Sequence, residues 1–426
     1  MFSSTPPAVG GALVRVLGYV SPLAFGAFIV FSAFSIALSQ ITLGLAMVTG
    51  LALWAVRRPR LSLPARKVLS AAALFVVWMV IASLLGDRPW ESLGAIREEW
   101  LFLIIPLGLL LMDSPASTRR FVTILAATVL LIGLYGITQH FTGLYIFKNH
   151  GLHSAADEVR VSGGFSHPLT YGNYLATATL FICGYAATTF RHPGSRLPWL
   201  PLAAGICGLI AVALCNSRGP MLSAAIGLVA LGLLSRKILY GFAAVGVTAS
   251  IFVLVSPSVV PEFTKRVERD LNATQPASRL FIWKTAAGVA LSSPLSGVGP
   301  ANFGREYVKH LPPEFSGKSK QGHAHNDFLH IAAIAGMPGL LLFITLFGVV
   351  IRQLWRAWRN SSLSPPDRAL AIAALVGTIT FLATSMTEAS FTDEEVRQLL
   401  MLIWAIGLSA WTSAEKGPAQ PASEPV

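Results

Sequence analysis

The sequence predicts an all-α polytopic membrane protein with about twelve transmembrane helices. Long apolar runs recur between short basic punctuation marks along the whole chain, and only 12% of the 426 residues are charged while 54% are hydrophobic. A soluble domain carries roughly twice that charged fraction. The net charge of +12 does not point to nucleic acid, because the basic residues sit between apolar runs rather than on one patch. Cys183, Cys207 and Cys215 all fall inside apolar runs, too few for a disulfide framework and without zinc-ligand spacing.

A bilayer core needs about 20 apolar residues per helix. Spans are expected near 16–37, 39–56, 68–86, 100–113, 121–141, 169–190, 197–215, 219–235, 238–256, 326–351, 369–387 and 398–413. The fourth is short and its start, near AIREEW, is the least defined. With both termini cytoplasmic, the inside segments collect more than half of the 32 Lys and Arg, including Arg57, Arg58, Arg60, Arg66 and Lys67. Of the 20 acids those segments hold only Asp113, Asp367, Glu415 and Glu424, as the positive-inside rule requires. The chain is therefore read as one integral membrane domain, 1–426, with a shorter outer segment at 142–168 and a large outer loop at 257–325. Within that loop Leu280, Trp283, Ala287 and Leu291 recur at helical spacing, so an amphipathic helix on the outer membrane surface is expected, broken by Pro294, Gly297 and Gly299.

Candidate chemistry collects on the outer face. Arg218, in CNSRGP at the tight turn between the seventh and eighth spans, stands close to hydrocarbon. Burying a guanidinium there is costly unless it meets a polar cavity or an anion, although an arginine snorkelling to lipid headgroups would look the same. Arg160 and Arg279, taken singly, read as solvated loop charges. Together the three arginines would make a phosphate clamp, since guanidinium presents a planar fork of donors to phosphate oxygens. In HAHNDFLH (323–330), Asn326 or Asp327 could cap the tenth span. His325 stands where loop becomes helix, a position suited to a general base. His323, His325 and Asp327 form a weak metal pattern with no fourth ligand, and no metal is expected. The acidic run Asp393, Glu394, Glu395 reads as a solvated loop rather than a cation site.

At these residues the chain resembles the O-antigen ligase and O-antigen polymerase superfamily. The run HAHNDFLHIAAIAGMPGL looks like its signature of histidine and asparagine opening a helix with a glycine about ten residues on. CNSRGPML is similar to its Ser-Arg-Gly segment, SRLFIWKTAAGVALSSPLSGVGPANF to its arginine, tryptophan and Gly-x-Gly loop, and RVSGGFSHPLTYGNYLA to the segment before the middle spans. The matches keep family order from about residue 155 to 345. The resemblance leans toward the ligase. It implies GT-C-like membrane architecture in the bacterial inner membrane, an active site facing the periplasm and no cofactor. It also implies transfer of a glycan from an undecaprenyl pyrophosphate carrier to a sugar of the lipid A core. Carried over by motif, Arg218 and Arg279 would hold the pyrophosphate, Arg160 would assist, and His325 would activate the acceptor hydroxyl. His323, Asn326, His330 and His167 would support. Lys265, Arg266, Lys318 and Lys320 could meet an anionic acceptor or lipid headgroups.

Two other readings compete. A polymerase of the same superfamily would share these residues and use a carrier-linked acceptor. A twelve-span transporter or flippase would require ionisable residues and broken helices near mid-bilayer, whereas here the ionisable residues collect at the outer rim.

Overall fold

Serine and proline write most of the helix starts. Ser62, Ser114 and Ser364 each accept a hydrogen bond from a backbone N–H three residues on, and each is followed within two residues by a proline in the first turn. Proline is tolerated there because that N–H has no intrahelical partner, and each such cap contributes about 1 kcal/mol. The computed structural model describes residues 8–146, 161–189, 199–236, 244–248, 278–315 and 320–415, with a few isolated positions between 264 and 275. The helices are α1 (Ala8–Phe31), α2 (Ile36–Arg57), α3 (Leu63–Leu85), α4 (Pro89–Ala95), α5 (Ile104–Leu111), α6 (Pro115–Thr142), α7 (Pro168–Thr189), α8 (Trp199–Leu214) and α9 (Arg218–Leu234). They continue with α10 (Arg279–Ser292), α11 (Phe303–Lys309), α12 (Asp327–Arg359), α13 (Pro365–Ser385) and α14 (Glu394–Glu415). No strand occurs among the described residues. The protein is an all-α, multi-pass membrane protein.

Six helical segments among the described residues are long and apolar enough to cross a bilayer: Leu13–Phe31, Ile36–Arg57, Leu63–Leu85, Pro115–Thr142, Asp327–Arg359 and Pro365–Ser385. Helix α13 lies deepest, buried nearly throughout and packed on α7, α9, α12 and α14. Helices α7 and α14 are less apolar because the bundle rather than lipid covers them: Thr170, Asn173, Thr177 and Thr179 of α7 are all buried.

Three expectations are corrected. The expected fourth span, 100–113, is not a continuous α-helix: Arg97–Leu103 is a 3₁₀ helix leading into α5. Its irregular turns are tolerated because they are buried in protein, including Leu101, Phe102, Ile104 and Ile105. The first span ends at Phe31, six residues before 37, because Ser35 caps a new helix. The acidic run is not a solvated loop: Asp393 and Glu394 are partly covered and Glu395 is buried. Arg397, also buried, pairs with Glu99 and lies over the Phe391 ring at 4.2 Å, so α14 starts earlier than charge patterning indicates. Of the expected ninth span, 238–256, only Ala244–Thr248 is described, as helix; the rest lies outside the described residues.

The amphipathic helix forms as α10, but the predicted stripe is split. Trp283 and Ala287 are half-buried and the Trp283 indole reaches the His325 carbonyl, while the two leucines of the stripe face outward. Leu280 and Leu291 are exposed, while Phe281, Ile282, Thr285, Ala286 and Val289 are buried, and the helix packs on α12. Both faces are apolar, so spacing alone does not say which one meets protein.

Helix α12 is broken at Gly336, whose φ of 69° and ψ of −177° are not helical, and Pro338 follows. Pro338 lacks the N–H that would close on Ile334. The freed carbonyls are met from elsewhere. Val298 donates to the carbonyl of Ala333 (2.9 Å), Gly299 to that of Ile334 (3.0 Å), and the Trp78 indole to that of Ala335 (2.8 Å). In return the N–H of Met337 donates to the carbonyl of Pro294 (2.8 Å). A loop after α10 is thereby sewn into the helix that carries the histidine motif.

Candidate active site

The end of the bundle where α12 begins gathers side chains from four distant stretches. Glu388, in the α13–α14 loop, is the hub, and only 5% of it is exposed. Its Oε1 lies 2.5 Å from Nδ1 of His325, and its Oε2 accepts from Nη2 of Arg279 at 2.8 Å. Burial alone would raise this carboxyl. The His325 hydrogen bond and the Arg279 charge more than offset that and hold it at about 2. Glu388 is therefore a fixed anion, and it presents an acceptor to the imidazole.

The loop around Glu388 is pinned on several sides. Asn326 donates to the carbonyl of Met386 (2.9 Å), Asn173 to Ser390 (3.0 Å), and Thr170 to Asp393 (3.2 Å). The backbone N–H of Phe391 donates to both oxygens of buried Asp327 (3.0 and 3.1 Å). The Phe391 ring drops into an aromatic core with Phe75, Phe102, Phe343, Phe347 and Phe381. A carboxylate carried by a loop is thus held as firmly as one on a helix.

His325 precedes the N-cap Asn326, whose side chain accepts from the N–H of Leu329 (3.0 Å). Its backbone is left-handed, φ 49°, a conformation that costs a non-glycine residue on the order of 1 kcal/mol or more. It is kept there by the Trp283 indole, which donates to the His325 carbonyl (3.1 Å), and by the His325 N–H, which donates to Nδ1 of His323 (3.3 Å). With its proton on Nδ1, facing Glu388, His325 presents a lone pair on Nε2. Oε1 of Gln321 stands 3.2 Å from Nε2, where the oxygen of an acceptor hydroxyl would take its place and bring the proton that the amide oxygen lacks.

Both candidate clamp arginines are first residues of helices, Arg218 of α9 and Arg279 of α10. A cation there opposes the helix dipole, whereas an anion held by it also meets unpaired backbone N–H groups. Gly219, next to Arg218, abuts Thr387, the neighbour of Glu388: a Cβ on that glycine would stand 2.8 Å from the Thr387 hydroxyl. The N-terminus of α9 therefore adjoins the loop that binds Arg279 and His325. Pairing with Glu388 engages Nη2 of Arg279, which carries two of the five N–H donors of a guanidinium.

The remaining candidates divide. His323 lies beside His325, ring centroids 4.2 Å apart. Burial, with the charges of His325 and Arg279 and despite that of Glu388, lowers it to about 4, so it is neutral at physiological pH. His167 is close enough to His323 to contribute to that lowering. His330 turns away into the core, 4.9 Å from the Phe303 ring. Arg160, Arg266 and Lys318 lie outside the described residues. Lys320 is described and exposed, close in sequence to Gln321.

Nδ1 of His323, Nδ1 of His325 and a Glu388 oxygen are close enough to be considered as metal ligands. The weak metal pattern of the sequence reappears with Glu388 in place of Asp327. The His325–Glu388 contact is that of a shared proton, while His323 stands 3.6 Å from the same Glu388 oxygen. Arg279 already neutralises the carboxylate.

Residues 203–344 match the sequence profile described as O-antigen ligase. The middle third of the chain is thus similar to O-antigen ligases. A Rickettsia felis protein provisionally named polysaccharide ligase is 26% identical over 297 residues, covering 66% of this chain and 67% of its own length. A similarly named protein of Rickettsia conorii is 31% identical over 118 residues, covering 25% of this chain and 28% of its own. The O-antigen ligase match takes in Arg218, Arg279, His323 and His325 and stops before Glu388. Glu388 is the site residue that sequence reasoning missed. Its signal is partial: an acid at the outer end of an apolar run, on the side expected to hold the arginines, is as costly as Arg218, but the acidic run 393–395 just after it draws the eye.

Proposed function

We propose that this protein transfers an O-antigen glycan from undecaprenyl pyrophosphate to the lipid A core at the periplasmic face of the inner membrane, without a metal and with inversion. The observation that carries this reading is the Arg279–Glu388–His325 chain: a guanidinium, a carboxylate and an imidazole within 2.8 Å of one another in sequence of contact. Nε2 of His325 takes the proton of the acceptor hydroxyl, whose oxygen forms the new bond to the anomeric carbon. The bond from that carbon to the pyrophosphate oxygen breaks, and the electron pair leaves on the phosphate. Glu388 holds the imidazole by Nδ1 and stabilises the imidazolium. Arg279 and Arg218, with Arg160 and the helix N–H groups beside them, balance charge on the leaving pyrophosphate. A pyrophosphate so held is a good leaving group, so a strong general acid is dispensable.

The break in α12 is a feature expected of transporters, but its seam is made of backbone and Trp78 and contains no ionisable group. The decisive assay presents purified protein in detergent with carrier-linked glycan and lipid A core. Transfer to the core is expected; elongation on the carrier would instead identify a polymerase. His325→Ala should lower the rate about 10²–10⁴-fold, His323→Ala and His330→Ala less, and EDTA should change nothing. Arg218→Lys and Arg279→Lys should rescue poorly, because a point charge does not reproduce the fork. Robust turnover by His325→Ala, or activity restored by a divalent cation, would overturn the assignment.

A further inference from the structure

At the opposite end of the bundle from His325, α3 and α12 part to leave a groove of about 540 Å³. It exists because Ser70 and Ala71 on α3 and Thr345 on α12 are too small to close it. Arg66, Lys67 and Arg352 stand at its mouth, and no carboxylate is among its lining residues. All three cations are exposed, and none forms an ion pair with a described residue. Deeper in, the walls are Leu74, Leu342 and Val349. Leu74 lies roughly 10 Å along α3 from Lys67, and Leu342 roughly 15 Å along α12 from Arg352. That depth is about one leaflet of the hydrocarbon core. A second crevice at the same end, between α1, α2, α5 and α6, is different: its Arg57 is already neutralised by Asp113 at 3.3 Å.

We propose that the α3–α12 groove binds an anionic glycerophospholipid of the leaflet at that end. Arg66, Lys67 and Arg352 take the phosphodiester, and one acyl chain lies against Leu74, Leu342 and Val349. Charge complementarity selects this occupant: three unpaired cations above an apolar trough match a headgroup anion above an alkyl chain. A zwitterionic lipid would bring its own cation into the same cluster.

The test is native mass spectrometry of the full chain in detergent with phosphatidylglycerol or phosphatidylcholine of identical acyl chains. Each cation near a membrane surface contributes roughly a five-fold preference for the anionic lipid. Phosphatidylglycerol should therefore be retained at least about ten-fold over phosphatidylcholine. Arg66→Gln/Lys67→Gln/Arg352→Gln should erase that preference. Thr345→Trp, which fills the trough and leaves every cation in place, should reduce retention of phosphatidylglycerol. Arg119→Gln/Arg120→Gln, a loss of two cations at the same end on α6, should leave the preference unchanged. Equal retention of the two lipids by the unaltered chain, an equal loss in the α6 variant, or undiminished binding by Thr345→Trp would each overturn the proposal. If the triple variant is not monodisperse, Arg352→Gln and Thr345→Trp decide the matter.

Discussion

Glu388 faces a guanidinium on one oxygen and an imidazole on the other, so removing its charge is expected to act on catalysis rather than on folding alone. Glu388→Gln keeps the volume and loses the anion. By comparison with other histidine-orienting carboxylates, the transfer rate should fall about 10²–10⁴-fold. The fall should exceed any loss of folded protein seen by thermal unfolding in detergent; a rate that falls only in step with stability would reduce Glu388 to a packing role. Asp393 gives a second expectation. Burial, then the neighbouring charges of Glu388 and Glu395, raises it to about 7. A carboxyl raised in the folded state favours folding while it is protonated, and that contribution is lost as pH rises through the folded value. Wild type should therefore lose thermal stability relative to Asp393→Asn between about pH 5 and about pH 8; parallel curves would refute this. Arg218 stands out in the sequence because charge beside hydrocarbon is expensive, and His325 because it stands where loop becomes helix, whereas Arg279 taken singly reads as a solvated loop charge. Glu388 does not stand out, because its partners lie 63 and 109 positions away and the acids just after it mask it.

At the scale of elements, spacing and capping located nearly every helix, and the misreadings share one cause. Hydropathy reports how apolar a segment is, not whether lipid or protein covers it. Helix α10 shows both faces apolar, and the Arg97–Leu103 stretch abandons α geometry before α5 begins at Ile104. The seam of α12 was legible only as two glycine-proline breaks, and nothing in the sequence says that one answers the other. Its glycines make it testable. A Cβ on Gly297 would stand 2.3 Å from the backbone nitrogen of Ala335, and one on Gly336 2.6 Å from the carbonyl oxygen of Leu295, both at positive φ. Gly143 has a similar φ of 66° and open space around it. Gly297→Ala and Gly336→Ala should each cost about 2–4 kcal/mol, against about 1 kcal/mol for Gly143→Ala. Thermal unfolding in detergent measures this, and equal losses at the three positions would show that the loop does not brace the helix.

For the whole molecule, the chain direction of every long helix follows from the alternation of basic and site-bearing ends. Arg57, Arg66, Arg119 and Arg352 lie at one end, His325, Glu388 and Arg279 at the other. The positive-inside rule predicts that the basic end faces the cytoplasm. Single cysteines at 60, 236 and 360 should react with an impermeant maleimide only after permeabilisation, and one at 310 should react in intact spheroplasts. Labelling at 310 only after permeabilisation, with 60 open from outside, would reverse the arrangement and remove the site from a periplasmic substrate.

The seam at Gly336 also sets an order of assembly. The N–H groups of Val298 and Gly299 are synthesised about 35 residues before the carbonyls of Ala333 and Ile334 that they meet. At ~5–20 residues per second, the loop waits roughly 2–7 s for its partners. Its polar backbone cannot settle among the helices in that interval, so it must stay in water or be sheltered by the insertion machinery. The segment from Pro294 to Gly299 docks only once the outer turns of α12 are in place. Those turns carry the Asn326 cap beside His325, so the end of the protein that gathers His325, Glu388 and Arg279 is completed late in synthesis.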